Sequence, residues 1–122
     1  MSSEKKSPEE EGMSLYEYIV DNAENPELDL RPIIENLREV DLTGQFLCST
    51  ARYLAAVDRE RFSQWIAPLV EGAIEKDRDR RYIGSLLEAL WGEDYAGRVD
   101  ELNATDDNFR RIYKRIYPAS AL

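Results

Sequence analysis

Histidine, the residue that most often acts as a catalytic acid, base or metal ligand, is absent from this chain of 122 residues. The chain therefore lacks the commonest general acid or base, the commonest metal ligand, and every Ser–His or Cys–His nucleophile pair. Its glycines are scattered singly, so the sequence contains no glycine-rich phosphate loop. We expect a protein that is not an enzyme and that needs no cofactor.

Two short features have residue types that bind metals or act as nucleophiles. The turn Asp77-Arg78-Asp79 has two carboxylates, but a divalent cation needs more oxygen ligands, and the nearby arginines would repel it. We expect a solvated turn that caps the next helix. Cys48 has no neighbouring base or cation in the sequence that would lower the pKa of its thiol, so we expect a small, buried packing residue.

Four glutamates recur at matched positions and form the first candidate binding surface. Glu35 and Glu39 are four residues apart, and Glu71 and Glu75 repeat this pair 36 residues later. Residues four apart lie on one face of a helix, so stacking the two segments would align the four carboxylates in a column. Such a column would bind a basic partner or the arginines of a neighbouring molecule. The alternative is a solvated outer face.

The last predicted helix contains the only local basic cluster in the sequence. Its aromatic residues include Tyr113 and Tyr117, which form a second candidate protein-binding site. Basic residues interleaved with aromatic ones also suit an anion or a nucleic acid. The alternative is that these cations stabilise the negative end of the helix dipole. The basic residues are Arg110, Arg111, Lys114 and Arg115.

Net charge and composition restrict the environment and the partners. The formal charge of −9 opposes general binding to nucleic acid or to anionic membranes and favours a basic protein partner. No apolar run approaches the roughly 20 residues of a membrane span, and the charged N-terminus has no secretory signal. The single cysteine cannot form an internal disulfide. We expect a cytoplasmic protein, and homodimer formation is left open.

Apolar residues recur at spacings of three and four, which predicts an all-α chain of six to seven short helices in antiparallel pairs. Residues 1–12 are charged and lack an apolar pattern, so we predict a disordered tail there, a single helical domain over 13–118, and a C-terminal tail over 119–122. The first helix is predicted to start at Ser14 through a capping box with Glu17. The second and third helices are predicted over 30–40 and 43–57, and the fourth begins after an Asp58 cap. The fifth is predicted between the 76–80 turn and Gly92, and the sixth over 94–103. The seventh is predicted between a Thr105 cap and Pro118.

The helical pattern also predicts the core. Val57 is placed on the inner face of the third helix, and Pro68 lies inside the pattern of the fourth, where we expect it to kink or split the helix. One contiguous core is predicted from Phe46, Leu54, Trp65, Ile66, Leu69, Ile83, Leu86, Leu87 and Leu90.

Two segments, 32–54 and 68–90, can be aligned without a gap at an offset of 36 residues. Each is predicted to contain two helices joined by an acidic turn, which is typical of stacked helical repeats. A proline in the first helix, an acidic turn and a polar or basic start to the second helix resemble a HEAT or armadillo-type repeat. The matching residues are Pro32 and Asp41 in one segment, and Pro68, Asp77 and Arg80 or Arg81 in the other.

This resemblance implies a short right-handed stack of helix pairs and a protein-binding role. Two antiparallel hairpins in an ordinary helical bundle would give much the same pattern. Our leading hypothesis is a non-enzymatic protein–protein interaction module with an acidic binding surface. The alternatives are a small acidic inhibitor or immunity-type protein that neutralises a basic partner, and nucleic-acid binding through the last helix.

Overall fold

A computed structural model of the chain describes residues 7–118. All regular structure in that range is helical, which confirms the all-α prediction. It comprises seven α-helices and one short 3-10 helix. The α-helices are α1 (Pro8–Asn22), α2 (Arg31–Val40), α3 (Gln45–Asp58), α4 (Ser63–Lys76), α5 (Gly84–Trp91), α6 (Val99–Thr105) and α7 (Asp107–Ile116), and the 3-10 helix covers Tyr95–Arg98.

Over this range the helices pack as three hairpins placed side by side. Helix α1 packs on α2, α3 packs on α4 most extensively, and α5 packs on α7. The hairpins contact one another through two rows, α1–α3–α5 and α2–α4–α7. Helix α6 and the 3-10 helix connect α5 to α7. The site residues on α2, α4 and α7 therefore lie in one row.

The pairing of helices differs from the one that the sequence predicted. The predicted units joined α2 to α3 and α4 to α5 across the acidic turns. In the structure α2 contacts α3 only slightly, and α4 and α5 do not lie side by side. A repeat period measures the distance between equivalent residues and does not say where a unit begins. The close pairs are instead formed across the connections at 23–30 and 59–62.

The apolar core is continuous through all three hairpins. Eight of the nine predicted core residues are buried, and the ninth, Trp65, is half-buried against them. The core reaches Ile19 on α1 and Phe109 on α7. The inward placement of Val57 is wrong. This residue is exposed because it lies in the last turn of α3, where the helix has passed its neighbours and the 59–62 connection begins.

Helix α1 begins at Pro8 and not at Ser14. Its capping box is Ser7 with Glu10: the Ser7 hydroxyl accepts the Glu10 N–H at 3.1 Å, and the Glu10 carboxylate accepts the Ser7 N–H at 2.8 Å. Gly12 is buried against the ring of Phe46, where a Cβ would clash. The predicted tail is therefore wrong for residues 8–12. Residues 1–6 and the predicted tail at 119–122 lie outside the described range.

Helix α4 starts later than predicted and crosses its proline. Asp58 ends α3, and its carboxylate accepts the N–H of Arg61 at 3.1 Å in the connecting turn, so α4 begins at Ser63. The helix continues through Pro68 to Lys76 without a break. Pro68 does not split it, because residues packed on both sides of the proline hold the helix in place.

The C-terminal helices also differ from the prediction. The predicted 94–103 helix is a 3-10 turn, Tyr95–Arg98, followed by α6. Thr105 ends α6 and does not cap α7. Asp106 is the cap, since its carboxylate accepts the N–H of Phe109 at 3.1 Å. The carboxylate is the stronger acceptor for the exposed N–H groups of a helix start.

A buried aspartate organises the turn between α2 and α3. Asp41 is 2% exposed. Its Oδ1 accepts the N–H groups of Thr43 at 3.2 Å and Gly44 at 3.0 Å. Its Oδ2 accepts those of Phe46 at 2.9 Å and Leu47 at 2.8 Å. One side chain thus binds four backbone donors at the start of α3, which offsets the unfavourable burial of its charge.

The turn before α5 repeats this arrangement. Asp77, also 2% exposed, accepts the N–H of Arg81 at 2.9 Å through Oδ1. Its Oδ2 accepts the N–H groups of Tyr82 at 2.6 Å and Ile83 at 2.8 Å, which are the positions 36 residues after the donors to Asp41 Oδ2. The Asp77 carboxylate therefore fixes the turn that leads into α5, but the N–H groups it binds precede Gly84, the first residue of that helix. The expectation of a solvated turn is wrong for Asp77, which is buried, while Asp79 is exposed.

Candidate protein-binding surfaces

The four glutamates predicted to form a column lie on neighbouring helices. Helices α2 and α4 pack side by side, and all four carboxylates are exposed. Ile34 and Leu37 point inward from α2, as Val70 and Ile74 do from α4, so the glutamates face outward. We call this set the acidic column: Glu35, Glu39, Glu71 and Glu75.

One arginine lies against the acidic column. Arg38 Nη2 is 4.0 Å from Glu75 Oε1, and the stem of Arg38 crosses Gly72, where a Cβ would lie 3.1 Å from Arg38 Cγ. The Glu75 side chain is 60% exposed, so this ion pair is screened by water and contributes little to stability. The acidic column thus sets four carboxylates against this one paired guanidinium, and a second one, Arg31, lies in the adjoining groove.

A groove of about 350 Å³ opens between α2 and α4 beside the acidic column. Trp65 lies half-buried in it, together with Pro68. We call it the α2–α4 groove, and it is lined by Arg31, Ile34, Glu35, Arg38, Gln64, Trp65 and Pro68. Sequence reasoning placed Trp65 in the core because its helical spacing matches the core positions. The available signal was the polar Gln64 directly beside Trp65, which indicates that Trp65 lies at the edge of the buried face.

The second predicted site, on α7, is part of an aromatic ladder. The rings of Phe109 and Tyr113 stack at 5.5 Å, and those of Tyr113 and Tyr117 lie 4.8 Å apart. The Tyr95 hydroxyl is 3.5 Å from that of Tyr117. This hydrogen bond, and then burial, raise the pKa of Tyr95 to about 12.

Asp106 positions α7 relative to α5. Besides capping α7, its Oδ2 accepts the indole N–H of Trp91 at 2.8 Å. Trp91 meets Phe109 edge to face at 5.2 Å. One carboxylate thus links the start of α7 to the end of α5, and this link fixes the position of the aromatic ladder relative to α5. The sequence analysis placed the cap of this helix at Thr105 and did not identify this role of Asp106.

Two of the four basic residues on α7 have partners within the chain. Arg115 Nη1 donates to the carbonyl oxygens of Ile74 at 2.5 Å and Asp77 at 3.5 Å, and so ties α7 to the end of α4. Arg110 pairs with Asp107. Arg111 is half-buried, and Lys114 is exposed. The cluster therefore presents less outward charge than the sequence indicates.

The remaining chemical candidates have structural roles. The guanidinium of Arg52 lowers the pKa of the Cys48 thiol, so the expectation that no nearby cation would do so is wrong. Cys48 is nevertheless buried, and burial, followed by the charge of Asp77, raises this pKa overall to about 12. This confirms its interpretation as a packing residue. Within residues 7–118 no group of three or more His, Cys, Asp or Glu side chains is placed to hold a metal ion. The helices of that range are also too short or too polar to cross a membrane.

Comparison of the chain with protein-family models, with curated proteins and with solved structures finds no match. Function is therefore argued from the surfaces themselves.

Proposed function

We propose that the chain is a non-enzymatic module that binds a basic protein segment along the acidic column and the adjoining α2–α4 groove. The observation that carries the proposal is the conjunction of four exposed carboxylates on two contacting helices with a half-buried tryptophan between those helices.

The acidic column and the α2–α4 groove would contribute to binding in different ways. Carboxylates attract a basic partner over long range and orient it, which affects mainly the association rate and its salt dependence. Trp65 offers a flat apolar face in a cleft, and tryptophan is among the residues that dominate binding energy at interfaces. A segment with an apolar side chain flanked by lysine or arginine would fit both parts at once.

Two further features support a non-enzymatic, cytoplasmic role. Histidine is absent from the chain, and the only cysteine is buried with a protonated thiol, so neither of the usual nucleophile systems can be assembled. A reduced cysteine is typical of a reducing compartment.

The test is charge reversal of the acidic column. Glu35, Glu39, Glu71 and Glu75 are changed together to lysine, and the tagged full chain is used to capture partners from a lysate of the source organism over a salt series, read by mass spectrometry. The expected result is loss of the basic proteins that the wild type captures and releases at moderate salt. Circular dichroism checks that the variant is folded.

The matched control reverses four exposed glutamates away from the acidic column, which changes the net charge equally. Suitable residues are Glu27, Glu60, Glu93 and Glu101, all exposed. Retained capture by this control, with loss in the acidic-column variant, supports the proposal. Equal loss in both would show that only net charge matters, and equal capture by both would remove the acidic column as the site.

The partner's identity separates a general adaptor from an inhibitor or immunity-type protein. An inhibitor would capture one basic toxin or nucleic-acid-processing enzyme and abolish its activity at equal molarity. Nucleic-acid binding through α7 is weakened as an alternative because Arg115 is bound to the carbonyl oxygens at the end of α4.

A further inference from the structure

Helix α1 has an exposed stripe that combines acidic and apolar residues. Met13 is 44% exposed and Tyr18 46% exposed, whereas most large apolar residues of the described chain are buried or half-buried. Glu17 and Asp21 are exposed beside them at helical spacing. We call these four residues the α1 stripe. An apolar surface framed by charges of one sign is typical of a contact site.

Helix α7 has an exposed stripe of the opposite sign. Arg110 and Lys114 are exposed four residues apart, and the half-buried Tyr113 and the 42% exposed Tyr117 lie beside them. Arg110 is paired with Asp107 on the surface of the same helix, a solvent-exposed ion pair that contributes little and can exchange for an external carboxylate. We call these four residues the α7 stripe. The two stripes match in size and pattern, since each has two aromatic or thioether side chains and two charges spaced four residues apart.

The two stripes cannot meet within one chain. Helix α1 contacts α2 and α3 at one end of the rows, and α7 contacts α4, α5 and α6 at the other. In the described part of the chain α1 and α7 make no contact. Their complementarity is therefore left for a contact between two molecules.

We propose that the α7 stripe of one molecule docks on the α1 stripe of a second copy, in a head-to-tail arrangement. Arg110 and Lys114 would pair with Glu17 and Asp21, while the tyrosines cover Met13 and Tyr18. Such a contact uses different surfaces on the two partners. A pair of molecules therefore keeps an open α1 stripe at one end and an open α7 stripe at the other. Repetition gives a chain or a closed ring and not a two-fold dimer.

Charge complementarity selects a second copy as the occupant. The α7 stripe is complementary to an acidic surface with exposed apolar side chains, and the α1 stripe has that composition. Every molecule has both stripes, so the two are always present in equal amounts. The net charge of −9 opposes association at long range, but salt screens it beyond about 8 to 10 Å, and the opposed stripes act at shorter distance. This inference does not depend on the acidic column or on the α2–α4 groove.

The test is sedimentation velocity of the full chain from micromolar to millimolar concentration. Wild type is expected to sediment faster as its concentration rises, and high salt is expected to reverse this. The α1 variant, Glu17→Lys with Asp21→Lys, and the α7 variant, Arg110→Glu with Lys114→Glu, are each expected to remain monomeric. Mixed in equal amounts they are expected to associate again, because each stripe then meets one of opposite charge.

The α1 variant provides a sharp discrimination. It is less negative than wild type, so a general charge effect would increase its association, whereas docking of the stripes predicts a loss. The matched control is Glu71→Lys with Glu75→Lys, which changes the net charge equally and is expected to associate.

Three results would overturn the inference. The first is sedimentation of the wild type that does not change with concentration. The second is association of either single variant alone, or no association in the mixture of folded variants. The third is loss of association in the Glu71 and Glu75 control with retention in the α1 variant, which would place the α7 stripe on the acidic column.

Discussion

The turns that precede α3 and α5 are built alike and end differently. In both, a buried aspartate accepts the backbone N–H groups five and six residues ahead through the same oxygen. In both, a residue three positions after the aspartate has a left-handed backbone: Gly44 with φ +87° and Arg80 with φ +60°. The same local conformation is therefore formed once by glycine and once by arginine.

The difference follows from what lies next to each turn. A Cβ on Gly44 would lie 3.1 Å from Asp77 Cβ and 3.3 Å from the carbonyl oxygen of Ala73, because the C-terminal end of α4 packs there. Arg80 is exposed, and its guanidinium lies 3.4 Å from the Arg115 carbonyl oxygen. The first turn is enclosed by its neighbour and needs glycine, whereas the second lies near the end of the stack and tolerates a side chain.

The cations that bind the turns repeat as well. Lys76 Nζ donates to the carbonyl oxygens of Arg38 at 2.5 Å and Asp41 at 2.9 Å. Arg115 binds the carbonyls 36 residues later, those of Ile74 and Asp77. Each cation comes from the next helix of the row and binds the C-terminal end of the previous one, where the helix dipole is negative.

The largest predicted effect separates the two aspartates. Asp41→Ala leaves four buried or half-buried N–H groups without their acceptor and is expected to lower the free energy of unfolding by about 3 kcal/mol or more. Asp77→Ala removes three such bonds and should destabilise the protein somewhat less. Urea denaturation measures both. The exposed Asp79→Ala is the control, and a comparable loss there would contradict the capping account.

A smaller effect is expected at the two cations. Lys76→Met removes two short bonds in a half-buried site and should cost about 2 kcal/mol, whereas Arg115→Met loses one short and one 3.5 Å bond and should cost about 1 kcal/mol. Methionine keeps most of the apolar stem, so the change reports mainly on the charge. The exposed Lys114→Met is the control. Equal melting temperatures for all three variants would show that these bonds do not join the hairpins.

Cys48 lies near both aspartates and gives a pH dependence. Its pKa is raised from 9.0 to about 12, chiefly by burial, so the folded state favours the neutral thiol. Stability from this group is full below pH 9.0 and is lost as the pH rises towards 12, by at most about 1.4 kcal/mol per pH unit. Urea denaturation of wild type and Cys48→Ala, compared between pH 8 and 10, isolates the contribution of Cys48 to the pH dependence of the free energy of unfolding. Parallel curves would argue against it.

The smallest effects test the glycine–arginine difference directly, and they have opposite signs. Gly44→Ala is expected to destabilise the protein by about 1 kcal/mol, because a side chain there is strained and crowded. Arg80→Gly relieves the left-handed strain and should stabilise by about 0.5 kcal/mol after the entropy of the unfolded glycine is counted. Thermal melts of both variants and of Arg78→Gly, at an exposed neighbour, decide whether the two turns differ as described.

Much of the fold could be predicted from the sequence. Helical spacing identified the helices and eight buried core residues, because amphipathic periodicity is a local property of the chain. The repeat identified Asp41 and Asp77 as equivalent turn residues before their shared hydrogen bonds were visible. The start of α1 was misplaced because Ser7 and Ser14 both begin a sequence that fits a capping box. The signals for the earlier start were Pro8 and the acidic residues 9–11 in the first turn, and the packing of Gly12 against Phe46 agrees with it.

The candidate surfaces divide in the same way. Sequence alone determined that the chain is acidic, lacks histidine, and has two glutamate pairs in register and one basic-aromatic helix. Only the tertiary structure decided which helices pair, that Trp65 lines a groove, and that Arg115 binds the end of α4. The physical reason is that charge and periodicity belong to the residues themselves, whereas burial, pairing and the loss of a charge to an internal partner depend on residues far apart in the chain.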